Sequence, residues 1–539
     1  MKKSRKRVLY ILILCLICSM TLLACGEKPA DEQGKAAQET QPITISLVGG
    51  DWGFPDPFAH QPRDWGGVYT MLIFDSLLEE DESGTIPWLA TDWNIENDGQ
   101  TYTFDLRKEV KWNDGEDFTA DDVVFTFEYY QEKNHLYDLS SISSIKKNGD
   151  YQVKVELKEP SVVAESRIFQ TVPIIPQHIW QNVEDPKQFH VTEPEKAAVA
   201  TGPYKLADYQ QEHGSYKFIA NDEFWGGSPR VSEIITVPCS ESALSLLNGE
   251  IAITMISPQE IEMFKDKEEF VIEELKPYHH KWLCFNLNDS DLADVEFRHA
   301  LAYAIDKNEL LERMYMGVGN PGAQGGIPMV HPMYNPNIEK YDYAPENAID
   351  ILDDLGYEDI NNDGIRENKN GDPLKFKILV MSQNARAAEL VQIHLKKVGI
   401  DTEIMSNERG AVDKMTAEGK FQIVLQKGGY GGLSGDPDFL RRNFNPGSNT
   451  YHNFSSFGYN NPEFNELADK QQAELDAEKR KAMIFEMQEI LAEDIPIYYL
   501  YGQGGYYVYN KNIYDGWFWP AYTPLLDRSK LQYCRGAAN

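Results

Sequence analysis

The sequence predicts a large mixed α/β protein divided into two or more lobes. Three observations carry that prediction. The chain has 539 residues, while a single hydrophobic core stops growing at roughly 250–300 residues. Strand and helix signals alternate along the whole chain instead of separating into blocks. Aromatic residues make up 12% of the composition, which suits a large interior walled by rigid rings.

The elements follow in order. Ile43-Thr44-Ile45-Ser46-Leu47-Val48 alternates and opens the folded body as a strand. Thr101 to Leu106 places Tyr102, Phe104 and Leu106 on one face of a half-buried strand. Thr119-Ala120-Asp121-Asp122 supplies a helix cap with an acidic third position, and Val123 to Phe127 continues the helix. Tyr151 to Leu157 alternates again as a strand, completing a small α/β subdomain. Strand-rich sequence runs from Gly202 to about Pro277. Leu301, Ala304, Ile305, Leu310 and Leu311 recur at helical spacing, and Asp306 with Glu309 caps a second helix inside that stretch. Helices over 346–355 and 385–398 stop at Gly356 and Gly399, with a strand over Leu374–Val380 between them. Ile495 to Tyr501 reads as a short buried strand before an aromatic, loop-rich tail.

The amino terminus sets the compartment. Lys2, Lys3, Arg5, Lys6 and Arg7 precede an apolar run from Val8 to Leu23, short for a spanning helix and typical of a secretory leader. The run ends in Leu22-Leu23-Ala24-Cys25-Gly26, which resembles a bacterial lipoprotein cleavage box, so Cys25 is the expected lipidated residue. Residues 1–24 are then the signal peptide and 25–42 a polar tether; Cys15 and Cys18 leave with the leader. Loss of five positive charges takes the net charge from −34 to about −39. So acidic a surface argues against nucleic-acid binding. Cys239, Cys284 and Cys534 remain, an odd number too few for a disulfide scaffold.

Enzyme signatures are missing. Gly432-Leu433-Ser434-Gly435 lacks the last glycine of a nucleophile elbow, because Asp436 stands there. The run Gly428 to Gly432 is not followed by the Lys-Ser/Thr of a phosphate loop. One motif has a physical mechanism: Asp359, Asn361, Asp363 and the carbonyl of Ile365 fall at positions 1, 3, 5 and 7 of a calcium loop, with Gly364 at 6. Position 12 is Asn370, not glutamate, so Glu367 is the substitute ligand. The alternative is an Asx-turn hairpin that needs no ion. Beyond a structural Ca²⁺, no cofactor is expected.

Four blocks resemble the extracellular solute-binding proteins of family 5, the oligopeptide, dipeptide and nickel binders of ABC importers. The first runs from Leu77-Leu78-Glu79 through Pro87–Trp93, Tyr102–Arg107 and Trp112–Gly115 to Phe118–Phe125. The second joins Thr201–Tyr204, Phe224–Gly227 and Leu247–Ile251. The third is Arg298 to Lys307, and the fourth is Gly435–Leu440 with Tyr459–Phe464. Together they cover nearly all of 43–515. The resemblance implies a two-lobe periplasmic-binding-protein-like fold, with lobe I from 43–61, 196–282 and 496–539. An extra subdomain would occupy 62–195 and lobe II 283–495. Two crossing strands, near Trp282–Asn286 and Pro496–Tyr501, would join the lobes.

It also implies delivery of solute to permease and ATPase subunits; with the leader and Cys25, the expectation is a monomer lipid-anchored on the outer face of the cytoplasmic membrane. Peptide is the leading solute class; the alternatives are an oligosaccharide, a nickel chelate or another non-peptide solute, or a surface receptor uncoupled from transport. Peptide binders of this family place an aspartate about three residues before the Asp-Pro of the fourth block, and here that position is Leu433. The expected ligand-binding residues are Trp52, Tyr430, Gly431, Ser434 and Asp436, with Trp282 and Trp517 as walls. Trp65 and Trp519 are expected near the same junction, whereas Trp88, Trp93, Trp112 and Trp225 are expected in the core.

Overall fold

The computed structural model describes residues 42–61, 65–133, 136–429, 435–446, 454–519 and 529–534. The strand Ile43–Val48 pairs in parallel with Val231–Val237, and Ser215–Ala220 and Tyr204–Gln210 complete a four-stranded sheet. Alternation turns Ile45 and Leu47 inward against Tyr216, Phe218 and Ile234. Between the first and second of these strands the chain leaves to build the subdomain. Its antiparallel sheet has the order Ala90–Glu96, Thr101–Leu106, Gln152–Leu157, Ile142–Lys147. Tyr102, Phe104 and Leu106 are buried there, as their alternation requires.

The helix Ala120–Lys133 is capped reciprocally. Asp122 Oδ2 accepts the Thr119 N–H at 2.9 Å, and the Thr119 hydroxyl accepts the Asp121 N–H at 3.3 Å. Trp88 and Trp112 belong to the core. Trp93 and Trp225 are only half-buried, packed at the edge of that core, and their indole N–H groups donate to Glu165 and to the buried Asp75 respectively.

The largest sheet has six strands in the order Gly319–Pro321, Ile497–Gln503, His279–Phe285, Ile423–Gly429, Lys375–Met381, Asp401–Asn407. The last three run parallel to one another. Alternation splits its side chains between two cores. Leu283, Phe285, Ile378, Val380 and Leu425 meet the helices Val295–Ala304, Lys307–Tyr315, Pro345–Leu355 and Ala385–Lys397. Trp282, Cys284, Leu379 and Val424 meet Phe439–Phe444, Pro462–Ala473 and Ala477–Asp494 on the other face. Gly356 and Gly399 stop their helices with φ of 84°, and Asp306 caps Lys307–Tyr315 through the Glu309 N–H.

A separate three-stranded sheet is built from Ile253–Ile256, Tyr506–Asn510 and Phe270–Glu274. The chain passes between these two sheets twice, through residues 275–278 and through Gly504-Gly505. The passages run side by side, with the Leu275 N–H donating to the Gly505 carbonyl at 3.0 Å. A Cβ on Gly504 would lie 1.9 Å from the Val318 carbonyl oxygen, so only glycine fits. Trp282 and Tyr501 themselves lie inside the six-stranded sheet. No disulfide joins Cys239, Cys284 or Cys534 to another described cysteine.

Candidate functional site

The three parallel strands end on one edge of the six-stranded sheet. Outside the carboxyl ends of such strands an open α/β sheet leaves a crevice. Here Lys375–Met381 runs into the turn Ser382–Asn384, which opens directly into the helix Ala385–Lys397. Lys281 is in register with Lys427 on one side and Tyr501 on the other, so three adjacent strands present these side chains on the same face.

Lys281 is 5% exposed, and its Nζ donates to Asn384 Oδ1 at 2.5 Å. No carboxylate among the described residues pairs with it. Burial first, and then repulsion from Lys427, pushes its amine down to about 7. The hydroxyl of Tyr501 is buried with no hydrogen-bond partner among the described residues, and burial raises its pKa. First-turn N–H groups of the adjoining helix add a partial positive charge. Two lysines, an unused hydroxyl and a helix start make a place suited to an anionic group. Sequence reading missed Lys281, Asn384 and Tyr501. The signal available was Lys281 itself, a lone charge inside the apolar strand His279–Phe285.

The residues singled out from sequence fall in several places. Trp52 is half-buried; its backbone N–H donates to the Tyr216 hydroxyl at 2.9 Å. Trp282 is 6% exposed, edge-on to Tyr499 and Phe454, and its ring covers Gly428. Trp517 packs against Tyr509, Tyr514 and Tyr533, and Trp65 and Trp519 are half-buried. Asp436 takes Arg480 in a two-pronged ion pair at 2.6 and 3.0 Å and accepts the Asp438 N–H at 2.8 Å, closing the turn before Pro437. Tyr430, Gly431, Leu433, Ser434 and Cys25 lie outside the described residues.

In the 359–367 loop, carboxylate oxygens of Asp359, Asp363 and Glu367 lie within 4.8 Å of one another. Hydrogen bonds already knit the loop. Asp359 accepts the N–H groups of Asp363 and Gly364, Asn361 accepts that of Asp363, and Glu367 accepts from Ile360 and Asn361. The Ile365 N–H donates to Asp363.

Residues 84–452 match the family model described as bacterial extracellular solute-binding proteins, family 5 middle. The chain belongs to this family. Among its relatives is the dipeptide-binding protein of Escherichia coli (strain K12), 28% identical over 480 residues, or 82% of this chain and 86% of that protein. The crystal structure of NikZ from Campylobacter jejuni, in complex with Ni(L-His), superposes with a TM-score of 0.74 at 26% identity, covering 87% of this chain and 94% of that one. Oligopeptide-binding AppA of Bacillus subtilis, solved with a nonapeptide, shares the fold with a TM-score of 0.76 at 22% identity, over 90% and 98% of the two chains.

As a family 5 protein the chain has the two-lobe periplasmic-binding-protein-like α/β fold with its extra subdomain. It is a solute-binding component of an ABC importer, not an enzyme. No helix among the described residues is long and apolar enough to cross a membrane.

Proposed function

We propose that the solute is an oligopeptide whose free carboxyl terminus is received by Lys281, with Lys427, Tyr501 and the start of the helix Ala385–Lys397 around it. The observation that carries this reading is Lys281, a buried cation whose described partner is a neutral amide. Every free peptide brings the carboxylate that such a cation lacks. At the other end, Leu433 leaves a peptide ammonium without its usual acid.

The test is calorimetric titration of protein stripped of co-purified solute with tri-alanine, its amide and its N-acetyl form. Loss of one charge-assisted contact is worth about 1.5–3 kcal/mol, so amidation is expected to weaken binding about 10- to 100-fold. N-acetylation should matter by less than about threefold. Equal binding of acid and amide, or binding of a nickel–histidine chelate or a mannooligosaccharide in preference to any peptide, overturns the reading.

The same proposal places the protein on the membrane through a lipid on Cys25, because the basic, apolar and Leu-Leu-Ala-Cys order of residues 2–25 is that of a lipoprotein leader. More than one acyl chain is required for durable anchoring. Metabolic labelling with an alkynyl fatty acid is expected to mark the wild type and not Cys25→Ser.

A further inference from the structure

Shared cores divide the protein into two bodies. The subdomain packs into one core with the first sheet, where Tyr102 and Phe104 join Ile45, Leu47, Tyr216 and Phe218. The six-stranded sheet carries two cores of its own. A close-packed core moves as a unit. Subdomain and first sheet therefore swing together about the passages at 275–278 and 504–505. Contacts that cross between the bodies away from those passages must part when the lobes open.

Three such contacts form a seam between the subdomain and the larger lobe. The Val162 N–H donates to the Gln472 carbonyl at 3.0 Å. A Cβ on Gly99 would lie 3.1 Å from Leu475 Cδ2. Arg167 Nε lies 3.7 Å from Asp438 Oδ2. Arg167 stands on a wide turn, Glu165–Phe169, closed by the Gln170 N–H donating to the Glu165 carbonyl at 2.9 Å.

The carboxylates that Arg167 meets are already in use. Asp438, fully buried, holds Arg441 at 2.7 and 3.0 Å and accepts Gln471 Nε2 at 2.9 Å. Asp436 holds Arg480 with both oxygens. A separation of 3.7 Å is too long for a hydrogen bond. Arg167 Nε and Nη2 are closed off from solvent and bond to no described residue, although the side chain as a whole keeps 19% of its exposure. With the seam parted, both nitrogens would meet water. Shutting it removes that water and supplies no acceptor. Burial outweighs the pull of Asp438 and Asp436, and holds the guanidinium below its ordinary range.

We propose that Arg167 is an opening spring: its unanswered guanidinium pushes the seam apart in the solute-free protein, and the seam shuts only when solute draws the lobes together. The spring also sets affinity, because solute is received in proportion to the fraction of protein able to close. The proposal rests on the two-lobe architecture and stands apart from the peptide reading.

The test follows hydrogen exchange of the Val162 amide in the full chain stripped of co-purified solute. Wild type, Arg167→Met and Arg167→Lys are compared, with the amides of Thr101–Leu106 as an internal reference. Methionine keeps an apolar stem and drops the charge, whereas lysine keeps both. Arg167→Met is expected to slow Val162 exchange at least about tenfold, the scale of one unmade buried hydrogen bond. Arg167→Lys should exchange like the wild type, and the reference amides should not change. By calorimetry, tri-alanine should bind Arg167→Met more tightly by the same factor. The proposal is overturned if the wild-type Val162 amide is already as protected as the reference, or if Arg167→Met exchanges no more slowly. Equal slowing in Arg167→Lys, reference amides that shift along with Val162, or tri-alanine binding that the methionine leaves unchanged also overturn it. If tri-alanine binds neither wild type nor variant, the peptide reading fails while exchange still decides this one.

Discussion

Asp56 sits in the subdomain-side core with Oδ1 accepting the N–H groups of Phe58 and Ala59, each at 2.7 Å, while Oδ2 has no described hydrogen-bond partner. Burial pushes its carboxyl up to about 7 from an ordinary 3.8. His190 Nδ1, 3.9 Å away, gives little relief, because burial holds that imidazole below its usual range. Tyr130 and Tyr137 also face it. The folded state binds the proton more tightly than the unfolded chain, so this stabilising contribution is complete below pH 4 and drains away as pH rises to about 7. Asp56→Asn, which keeps an oxygen for the two N–H groups, is expected to stabilise the protein at pH 8 by on the order of 2–4 kcal/mol and to lose that advantage near pH 4. Melting curves across pH check this.

Lys281 has the opposite sign. Its folded value of about 7 lies below the ordinary 10.5, so the solute-free protein gains stability as pH climbs from 7 towards 10. Carboxylate binding needs the protonated amine and should weaken over the same range. Lys281→Met is expected to melt higher than the wild type yet to bind tri-alanine at least about tenfold more weakly, without pH dependence. Asp56 gave no signal in the sequence, and Lys281 gave only its charge inside an apolar strand. Lys281 meets Asn384 103 residues away, a distance no local pattern spans.

At the scale of the element, the sequence spoke clearly wherever the cause was local. The Thr119–Asp122 cap, the Asp306 cap and the stops at Gly356 and Gly399 all rest on residues within four positions of one another. Strands over 101–106 and 152–157 were legible because one face is wet and the alternation survives. The connectors 275–278 and 504–505 were not, since strands buried on both faces read as continuous apolar runs. The 359–367 loop belongs to this scale. Asp359→Ala removes the acceptor of two backbone N–H groups and is expected to lower the melting temperature even under chelation. A calcium ion in the loop would add a second signature: chelator would destabilise the wild type and leave Asp359→Ala unmoved.

Across the whole molecule, Asp75 joins parts that the sequence keeps far apart. It accepts the indole N–H groups of Trp88 (2.6 Å) and Trp225 (3.2 Å), the Thr201 hydroxyl (2.9 Å) and the ammonium of Lys530 (2.8 Å). Lys530 is also bound by Glu79 at 3.1 Å and stacks over the Trp88 ring. Removing one partner of a fully buried pair leaves the other uncompensated, so Lys530→Ala is expected to cost about 3–5 kcal/mol in urea unfolding. Lys530→Ala combined with Asp75→Asn should recover part of that loss.

Lys530 is separated from Asp75 by 455 positions, and that distance becomes a delay when the chain is made. At roughly 5–20 residues per second, Asp75, both tryptophans and Thr201 emerge tens of seconds before their cation does. Until Lys530 arrives, the acid has to stay wet and the wall around it open. The earliest-made part of the protein is therefore kept from sealing until nearly the last, and an exported chain can remain threadable for the length of its own synthesis.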